Sequence, residues 1–196
     1  MRFLKNYAKN FVKYDLLLKF NDYKKISQIP KLKKIILSYE FKKYDFKLLL
    51  SSIVALELIT LQKSSIIKSK VSNISLKIRK GNPIGCKVTL RRKLMDSFFF
   101  KLLNELLFKM QEIELNLNLI DSNLTTHEND KSKTFSFKVK KGLIFTELEY
   151  NYQIFKFLPD LNINIITDTK NYKQLFMILK LYKIITKSKC NSMGRV

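Results

Sequence analysis

Apolar residues recur at two periods along the chain, and each period predicts one kind of element. A spacing of three to four residues, as in Leu94, Phe98 and Leu102, places side chains on one helix face. This spacing predicts helices over residues 5–20, 47–61, 94–113 and about 175–182. Alternating or extended apolar runs predict strands after Pro30, around Ile66, and over residues 86–90, 135–139 and 161–165.

The order of these elements predicts an α+β fold. Helix, strand, helix, two strands, helix, loop, strand, strand and helix follow one another, which is typical of a mostly antiparallel sheet with helices packed on one face. Residues 114–134 are polar with little pattern and predict a loop. We expect one domain over residues 1–185 and a flexible basic tail over 186–196, because the sequence after Thr186 is small, basic and without periodicity.

The longest apolar stretch, Phe46 to Leu61, predicts a buried central helix rather than a membrane span. Lys47 and Glu57 interrupt it, and it falls short of the roughly 20 apolar residues that cross a bilayer. The triplet Phe98-Phe99-Phe100 lies in the next predicted helix. We interpret these rings as core rather than as a platform for stacking bases.

The charge balance of the chain indicates a polyanionic partner. The 196 residues include 38 Lys and Arg against 16 Asp and Glu, a formal net charge of +22. Hydrophobic residues make up 46% of the chain, which at this length supports a folded core and argues against a disordered polycation. A folded protein with so much self-repulsion is expected to meet nucleic acid or an anionic membrane surface.

The most basic window lies between Glu57 and Asp96, where no acidic residue occurs. The cations of this window are Lys63, Lys68, Lys70, Lys77, Arg79, Lys80, Lys87, Arg91, Arg92 and Lys93. We interpret it as two strands joined by a long arm whose tip lies near Gly81-Asn82-Pro83, because Gly81 can adopt a positive φ and Pro83 biases Asn82 towards an extended backbone. Cations at a two-residue period share one face of a strand, so we expect a phosphate-facing surface.

Residues that build catalytic or metal sites are sparse. Cys86, Cys190 and His127 cannot supply a four-ligand zinc site, and two cysteines make no disulfide framework. We interpret Cys86 as a small apolar residue inside a strand and His127 as a solvated loop residue. The chain has four glycines and no glycine-rich phosphate loop. We therefore expect no enzyme activity, no metal and no cofactor.

The run Leu76–Arg91, LKIRKGNPIGCKVTLR, is similar to the signature of the bacterial-type large-subunit ribosomal protein five family, whose members bind 5S ribosomal RNA. Shorter segments resemble the same family: Gln28–Ile35, Ile66–Lys70 and Leu161–Thr167. Gly142–Leu148 is similar to the family's Ile-Phe-Pro-Glu-Ile segment, with Thr146 in place of the proline. The resemblance covers roughly residues 6–185.

The resemblance implies which residues contact RNA. In the family, polar residues on the concave side of the sheet contact 5S RNA; Gln62 and Thr89 match them, and Ser38 stands where asparagine is usual. The family's glycine-bearing loop after that strand reads Tyr39-Glu40-Phe41 here. The arm, about Val71 to Gly85, corresponds to the loop that approaches the elbow of P-site tRNA. Together with the basic window, this gives the expected RNA ligands Ser38, Gln62, Lys68, Lys70, Lys77, Arg79, Lys80, Asn82, Lys87, Thr89, Arg91 and Arg92.

The resemblance also implies a structural protein in the central protuberance of the large ribosomal subunit. The expected partners are 5S-type rRNA, large-subunit rRNA, P-site tRNA, neighbouring large-subunit proteins and a protein of the small-subunit head across an intersubunit bridge. Heavy use of Lys, Leu, Ile, Asn and Phe indicates an A+T-rich genome. With the altered positions around Ser38, this bias favours a mitochondrial ribosome in the matrix over a bacterial cytoplasm. Periodicity begins near Met1, so we expect no leader and synthesis inside the organelle.

The residues alone leave two other functions open. A peripheral membrane protein would place its basic helices, Met1–Phe20 and Leu94–Met110, on anionic lipid. A nuclease or RNA-modifying enzyme would need carboxylates, and a predicted helix and its end carry Asp96, Glu105, Glu112 and Glu114. We interpret these four as surface charges, because the sequence places no metal-ligand partner near them.

Overall fold

A computed structural model of the protein describes residues 6–20, 23, 28–41, 45–112, 133–139, 144–169 and 172–182. Within these ranges the sheet consists of β1 (Leu32–Glu40), β2 (Ser65–Lys68), β3 (Pro83–Leu90), β4 (Lys133–Val139) and β5 (Leu161–Thr167). Their order across the sheet is β2-β3-β1-β5-β4, and each neighbouring pair is antiparallel. The predicted α+β fold with an antiparallel sheet is confirmed.

The predicted helices are also present. A π-helical turn, Ala8–Val12, leads into α1 (Lys13–Lys19); α2 is Phe46–Thr60, α3 is Arg92–Glu112 and α6 is Tyr172–Leu181. Two four-residue helices, α4 (Thr146–Glu149) and α5 (Tyr152–Phe155), join β4 to β5 and were not predicted. Elements this short leave little periodicity in a sequence. His127, Cys190, Glu114 and the expected tail lie outside the described residues.

Strand register separates the side chains of the sheet into two faces. Alternation along each strand places every second residue on the same side. One face is buried and consists of Ile35, Leu37, Tyr39, Cys86, Val88, Leu90, Phe135, Phe137, Val139, Leu161, Ile163 and Ile165. Cys86 is fully buried there, as expected for a small apolar residue, and its thiol donates to the Ser52 hydroxyl of α2 at 3.4 Å.

Helices cover this buried face. Leu56 of α2, Phe99 and Leu102 of α3 and Phe155 of α5 all pack into the same core as the strand residues. Each such side chain contributes about 1.5–3 kcal/mol on burial. None of the described helices covers the other face of the sheet, so its side chains can meet a partner.

Helix α2 begins and ends at defined residues. The Asp45 carboxylate accepts a hydrogen bond from the backbone N–H of Lys47 at 3.0 Å, which is a standard N-cap. At the other end Leu61 adopts a left-handed backbone with φ of 55°, and its N–H donates to the Glu57 carbonyl. This turn directs the chain into β2 and positions Gln62 beside the sheet.

A smaller apolar cluster ties the start of the described chain to its end. Val12 and Leu16 pack against Ile29 and against Ile178 of α6. The Tyr7 hydroxyl donates to the Leu181 carbonyl at 2.9 Å. The helix predicted over residues 5–20 is therefore part of the folded structure.

Two predictions about burial were wrong in part. Helix α2 was expected to be buried all round, yet Phe46, Leu50, Val54 and Leu58 on one side are exposed. Phe98 and Phe99 are buried as predicted, whereas Phe100 is 41% exposed. Both errors have one cause, because apolar composition alone does not tell which side of a helix faces the sheet.

Candidate nucleic-acid interface

The face of the sheet that the described helices leave uncovered, called here the open face, carries a row of polar side chains across all five strands. Residues paired across antiparallel strands lie side by side, with Cβ atoms about 4.5–5.5 Å apart. The row runs Ser65, Lys87, Ser38, Asn162 and Lys138. At about 4.8 Å per strand, it extends for about 20 Å.

A second row lies next to the first. It runs Thr89, Ile36, Asn164 and Ser136, in register across β3, β1, β5 and β4. Hydroxyl and carboxamide groups alternate with lysines on this face, and Lys87 and Lys138 are exposed. Small polar groups between cations suit a partner that offers phosphates and hydroxyls rather than an apolar surface.

Gln62 and Thr89, which the sequence predicted separately, are brought together by the turn after α2. The Gln62 side-chain amide donates to the Thr89 carbonyl at 3.4 Å. Its backbone N–H donates to the Thr60 hydroxyl at 3.3 Å, which orients the residue at the end of the helix. Thr89 and Ser38 lie on neighbouring strands of the open face. Three of the predicted RNA ligands therefore share one surface with Lys87.

The arm, residues 69–82, is a hydrogen-bonded hairpin between β2 and β3. At its base the Ser69 N–H donates to the Asn82 carbonyl at 2.8 Å, and the Gly81 N–H donates to the Ser69 carbonyl at 2.9 Å. Further out, Asn73 and Ile78 form an isolated antiparallel bridge. Because both ends of the arm are paired, its backbone is a defined extension of the sheet.

The tip of the arm is formed by residues 74–77, and the predicted tip at Gly81-Asn82-Pro83 was wrong. The Asn73 carboxamide accepts from the Ser75 N–H at 3.1 Å and the Ser75 hydroxyl at 2.6 Å, closing an Asx turn. Lys77 completes the turn with φ of 54°. Gly81 does have a positive φ, 91°, as predicted, but its hydrogen bonds place it at the base.

The arm presents its cations to solvent. Lys70, Lys77, Arg79 and Lys80 are all exposed, as are Arg91 and Arg92 where β3 passes into α3. Lys68 ends β2 opposite Pro83, and Asn82 joins the base of the arm. The predicted ligands therefore fall into two groups: Ser38, Gln62, Lys87 and Thr89 on the sheet, and the remainder along the arm and its junctions.

Sequence reasoning missed the open-face residues of β4 and β5. Asn162 and Asn164 alternate with Leu161, Ile163 and Ile165, so the signal was present. It was used to predict the strand and not to ask what the intervening polar residues do. Ser136 and Lys138 were missed for the same reason. Register shows that these residues complete the rows begun by Ser38 and Thr89.

Gly85 lets β1 and β3 approach closely beneath these rows. A Cβ at this position would lie 2.4 Å from the Tyr39 carbonyl oxygen, a distance that real Cβ atoms do not reach. The glycine is paired with Glu40 at the end of β1. A residue without a side chain is therefore required here for packing rather than for an unusual backbone angle.

Carboxylates in the described chain take part in structure. The Glu105 carboxylate accepts from the Thr146 hydroxyl at 3.2 Å, and Glu147 pairs with Lys101. Burial of Glu147 opposes its ionised form, but the hydrogen bond and charge of Lys101 outweigh this and lower its pKa. Within the described ranges, no group of three or more His, Cys, Asp or Glu is placed to hold a metal ion, and no helix is long and apolar enough to cross a membrane.

Comparison with known proteins identifies the family. A family model for the C-terminus of the ribosomal protein uL5 family matches residues 83–185. The large ribosomal subunit protein uL5 of Blochmanniella floridana is 33% identical over 187 residues, spanning 94% of this chain and 93% of that protein. The chain belongs to the ribosomal protein uL5 family. Large ribosomal subunit protein uL5m of Reclinomonas americana is also 33% identical, over 94% of this chain and 97% of its own length.

Family membership confirms the resemblance carried by Leu76–Arg91, which includes β3 and the outer half of the arm. It also gives context to Thr146, the departure from the family's proline. The Thr146 N–H and hydroxyl both reach the Glu105 carboxylate, at 3.5 and 3.2 Å. A proline has no N–H and would make neither contact. In this member of the family the start of α4 is tied to α3 by hydrogen bonds.

Proposed function

We propose that the protein is a structural constituent of the large ribosomal subunit and binds rRNA through the open face and the arm. The observation that carries the proposal is the polar row across all five strands, flanked by exposed lysines and continued by the basic arm. Membership of the ribosomal protein uL5 family supports it.

The chemistry of the open face suits folded RNA. RNA helices are recognised mainly through their shape, their phosphates and their 2′-hydroxyl groups. Asn162, Asn164 and Ser136 supply donors and acceptors for hydroxyls, while Lys87 and Lys138 supply cations for phosphates. Because these groups are fixed on a sheet, little conformational entropy is lost on binding. We infer that 5S-type rRNA occupies this face and that large-subunit rRNA lies beside it.

We infer that the arm contacts a second RNA, the elbow of P-site tRNA. Its cations project from a paired hairpin, so Lys77, Arg79 and Lys80 are held away from the sheet. An extension of this kind reaches RNA that does not touch the open face. The ligands assigned to it act as phosphate contacts, which position the protein without reading sequence.

We propose that binding, and no chemical reaction, is the role of this surface. The groups assembled on the open face are hydroxyls, carboxamides and lysines, and the pKa shifts of the described chain belong to core or ion-paired groups such as Tyr39 and Glu147. Contact with a small-subunit head protein across an intersubunit bridge is part of the same proposal. It concerns residues 113–132, which lie outside the described ranges.

We propose a mitochondrial ribosome as the location. The A+T-driven composition supports it, and so does the likeness to uL5m of Reclinomonas americana. The uL5 proteins of Blochmanniella floridana and Wigglesworthia glossinidia brevipalpis, the latter 38% identical over 178 residues, are bacterial relatives that support the alternative of a bacterial cytoplasm.

Salt dependence of RNA binding tests the proposal. Replacing Lys77, Arg79 and Lys80 by alanine removes three phosphate contacts from the arm. We expect weaker binding of a ribosomal RNA or tRNA fragment and a slope of log K against log salt that is shallower by about two to three. The measurement is fluorescence anisotropy of the labelled RNA between low and moderate salt.

The matched control removes three exposed lysines elsewhere: Lys19 on α1, and Lys173 and Lys180 on α6. Both variants carry the same net charge, so a general electrostatic effect would change them equally. The arm assignment is wrong if the two triple variants have the same salt slope. The whole proposal is wrong if the unaltered chain shows no salt-dependent affinity for RNA.

A further inference from the structure

Helix α2 exposes an apolar side chain at every fourth position on the side that faces away from the core. Phe46, Leu50, Val54 and Leu58 are between 39% and 58% exposed, and Leu61 directly after the helix is 83% exposed. These five residues are called here the outer ridge. On the opposite side of the same helix, residues including Leu49 and Leu56 are buried against the sheet.

An apolar outer side is unusual for a surface helix of a highly charged protein. Surface helices normally place charged residues opposite their buried stripe. Charged residues make up 28% of this chain, yet Lys47 and Glu57 are the charged residues between Phe46 and Leu61. Contiguous exposed apolar surface of this kind marks an interaction site.

The apolar surface continues beyond α2. Helix α2 packs against the two short helices α4 and α5. Around these helices Tyr150, Tyr152, Ile154 and Phe157 are 50% to 88% exposed. Aromatic residues of this size are the side chains that most often anchor protein interfaces.

Charge indicates which class of partner this surface meets. Residues 45–61 and 144–160 carry the acidic residues Asp45, Glu57, Glu147, Glu149 and Asp160 and the basic residues Lys47 and Lys156. These segments therefore have a net charge of −3, whereas the whole chain has +22. An RNA phosphate backbone or an anionic lipid surface would be repelled here, and a basic protein segment would be attracted.

We propose that the outer ridge, with the exposed aromatic residues beside it, is a docking surface for an amphipathic helix of a basic protein. The ridge spacing of four residues is the one that packs into the groove of another helix. From Phe46 to Leu61 it extends for about 22 Å, which a partner helix of about 15 residues would cover. A symmetric dimer fits less well, because it would bring two acidic rims together.

The binding surface itself does not depend on RNA binding by the opposite side of the molecule. Only the placement of the partner among neighbouring proteins of the large subunit rests on the proposed function. The two can therefore fail separately. A protein that binds RNA without the helix, or the helix without RNA, distinguishes them.

A direct test uses the full-length chain and a labelled 20-residue helical peptide with a leucine stripe flanked by lysines. A matched peptide has glutamates in place of the lysines. We expect the lysine peptide to bind in 0.15 M salt, where screening confines electrostatic effects to about 8 Å. The double variant Leu50→Ser/Leu58→Ser should lower its affinity by at least about tenfold, as for truncation of interface anchors.

The control variant Leu18→Ser/Ile74→Ser removes two other exposed apolar residues and should leave peptide affinity within about twofold. RNA affinity should be equal for the unaltered chain and the ridge variant. Preference for the glutamate peptide, or equal binding by the ridge variant, would overturn the proposal. So would a dimer in sedimentation that the ridge variant dissociates, or flotation with phosphatidylcholine–phosphatidylglycerol vesicles that the ridge variant abolishes.

Discussion

The open face and the outer ridge lie on opposite sides of one core, and they differ in the properties that select a partner. The open face is built from β-strands and carries hydroxyls, carboxamides and lysines in register. The outer ridge is built from one helix and carries apolar side chains in segments with a net negative charge. A net charge of +22 therefore describes the protein's main partner but not all of its surface.

The difference also shows how one core supports two binding surfaces. Strand register fixes the spacing of polar groups at about 5 Å, which suits a partner with many regularly placed hydrogen-bonding groups. A helix exposes a continuous ridge and suits another helix. Each surface uses side chains that face away from the core, so either can change while the core residues remain the same.

The largest expected effect separates the two sides of α2. Leu56 is fully buried and Leu50 is 46% exposed. Leu56→Ala should lower the free energy of unfolding by about 4 kcal/mol, because it leaves a cavity in the core, whereas Leu50→Ala should change it by less than about 0.5 kcal/mol. Urea denaturation of both variants measures this. Equal losses would show that the ridge is packed within the isolated chain and is not a free surface.

The next effect concerns the close approach of β1 and β3 under the open face. Gly85→Ala places a Cβ 2.4 Å from the Tyr39 carbonyl oxygen, so the two strands must separate. We expect a loss of about 3 kcal/mol in the free energy of unfolding, together with weaker RNA binding, because the rows lose their register. Thermal denaturation and RNA anisotropy would be measured on the same preparation.

Gly81→Ala is the matched control for this prediction. No atom lies within 4 Å of a Cβ at Gly81, and the strain comes only from its φ of 91°. That change should cost about 1–2 kcal/mol and act on the arm rather than on the sheet. If Gly81→Ala destabilised the protein more than Gly85→Ala, strand separation would not be the reason for the glycine at position 85.

Periodicity was sufficient to predict the long elements, since β1, β5, α2 and α3 each carry seven or more residues of consistent pattern. It was insufficient where neighbours decide the outcome. The exposed side of α2 depends on where the sheet lies, and the arm tip depends on the Asn73 carboxamide, whose hydrogen bonds override the glycine and proline signals at Gly81-Asn82-Pro83. The polar rows depend on register, which joins Ser38 to Asn162 across more than a hundred residues of sequence.

The smallest expected effect lies beside the apolar surface, where Lys101 of α3 holds Glu147 of α4. The lowered pKa of Glu147 means that the folded state favours its ionised form, so its contribution to stability is present above 4.5, its ordinary pKa. It is lost as the pH falls through the lower pKa of the folded state. Because Glu147 is 40% exposed, the pair is worth only about 0.5 kcal/mol. Glu147→Gln should therefore destabilise the protein slightly at pH 7, and this difference should vanish near pH 3. Asp160→Asn, an exposed carboxylate without this pairing, should differ little from the unaltered chain at either pH. Urea denaturation at both pH values checks this, and a difference for Glu147→Gln that grew on acidification would contradict the assignment of Lys101 as the partner that keeps α4 in place beside the ridge.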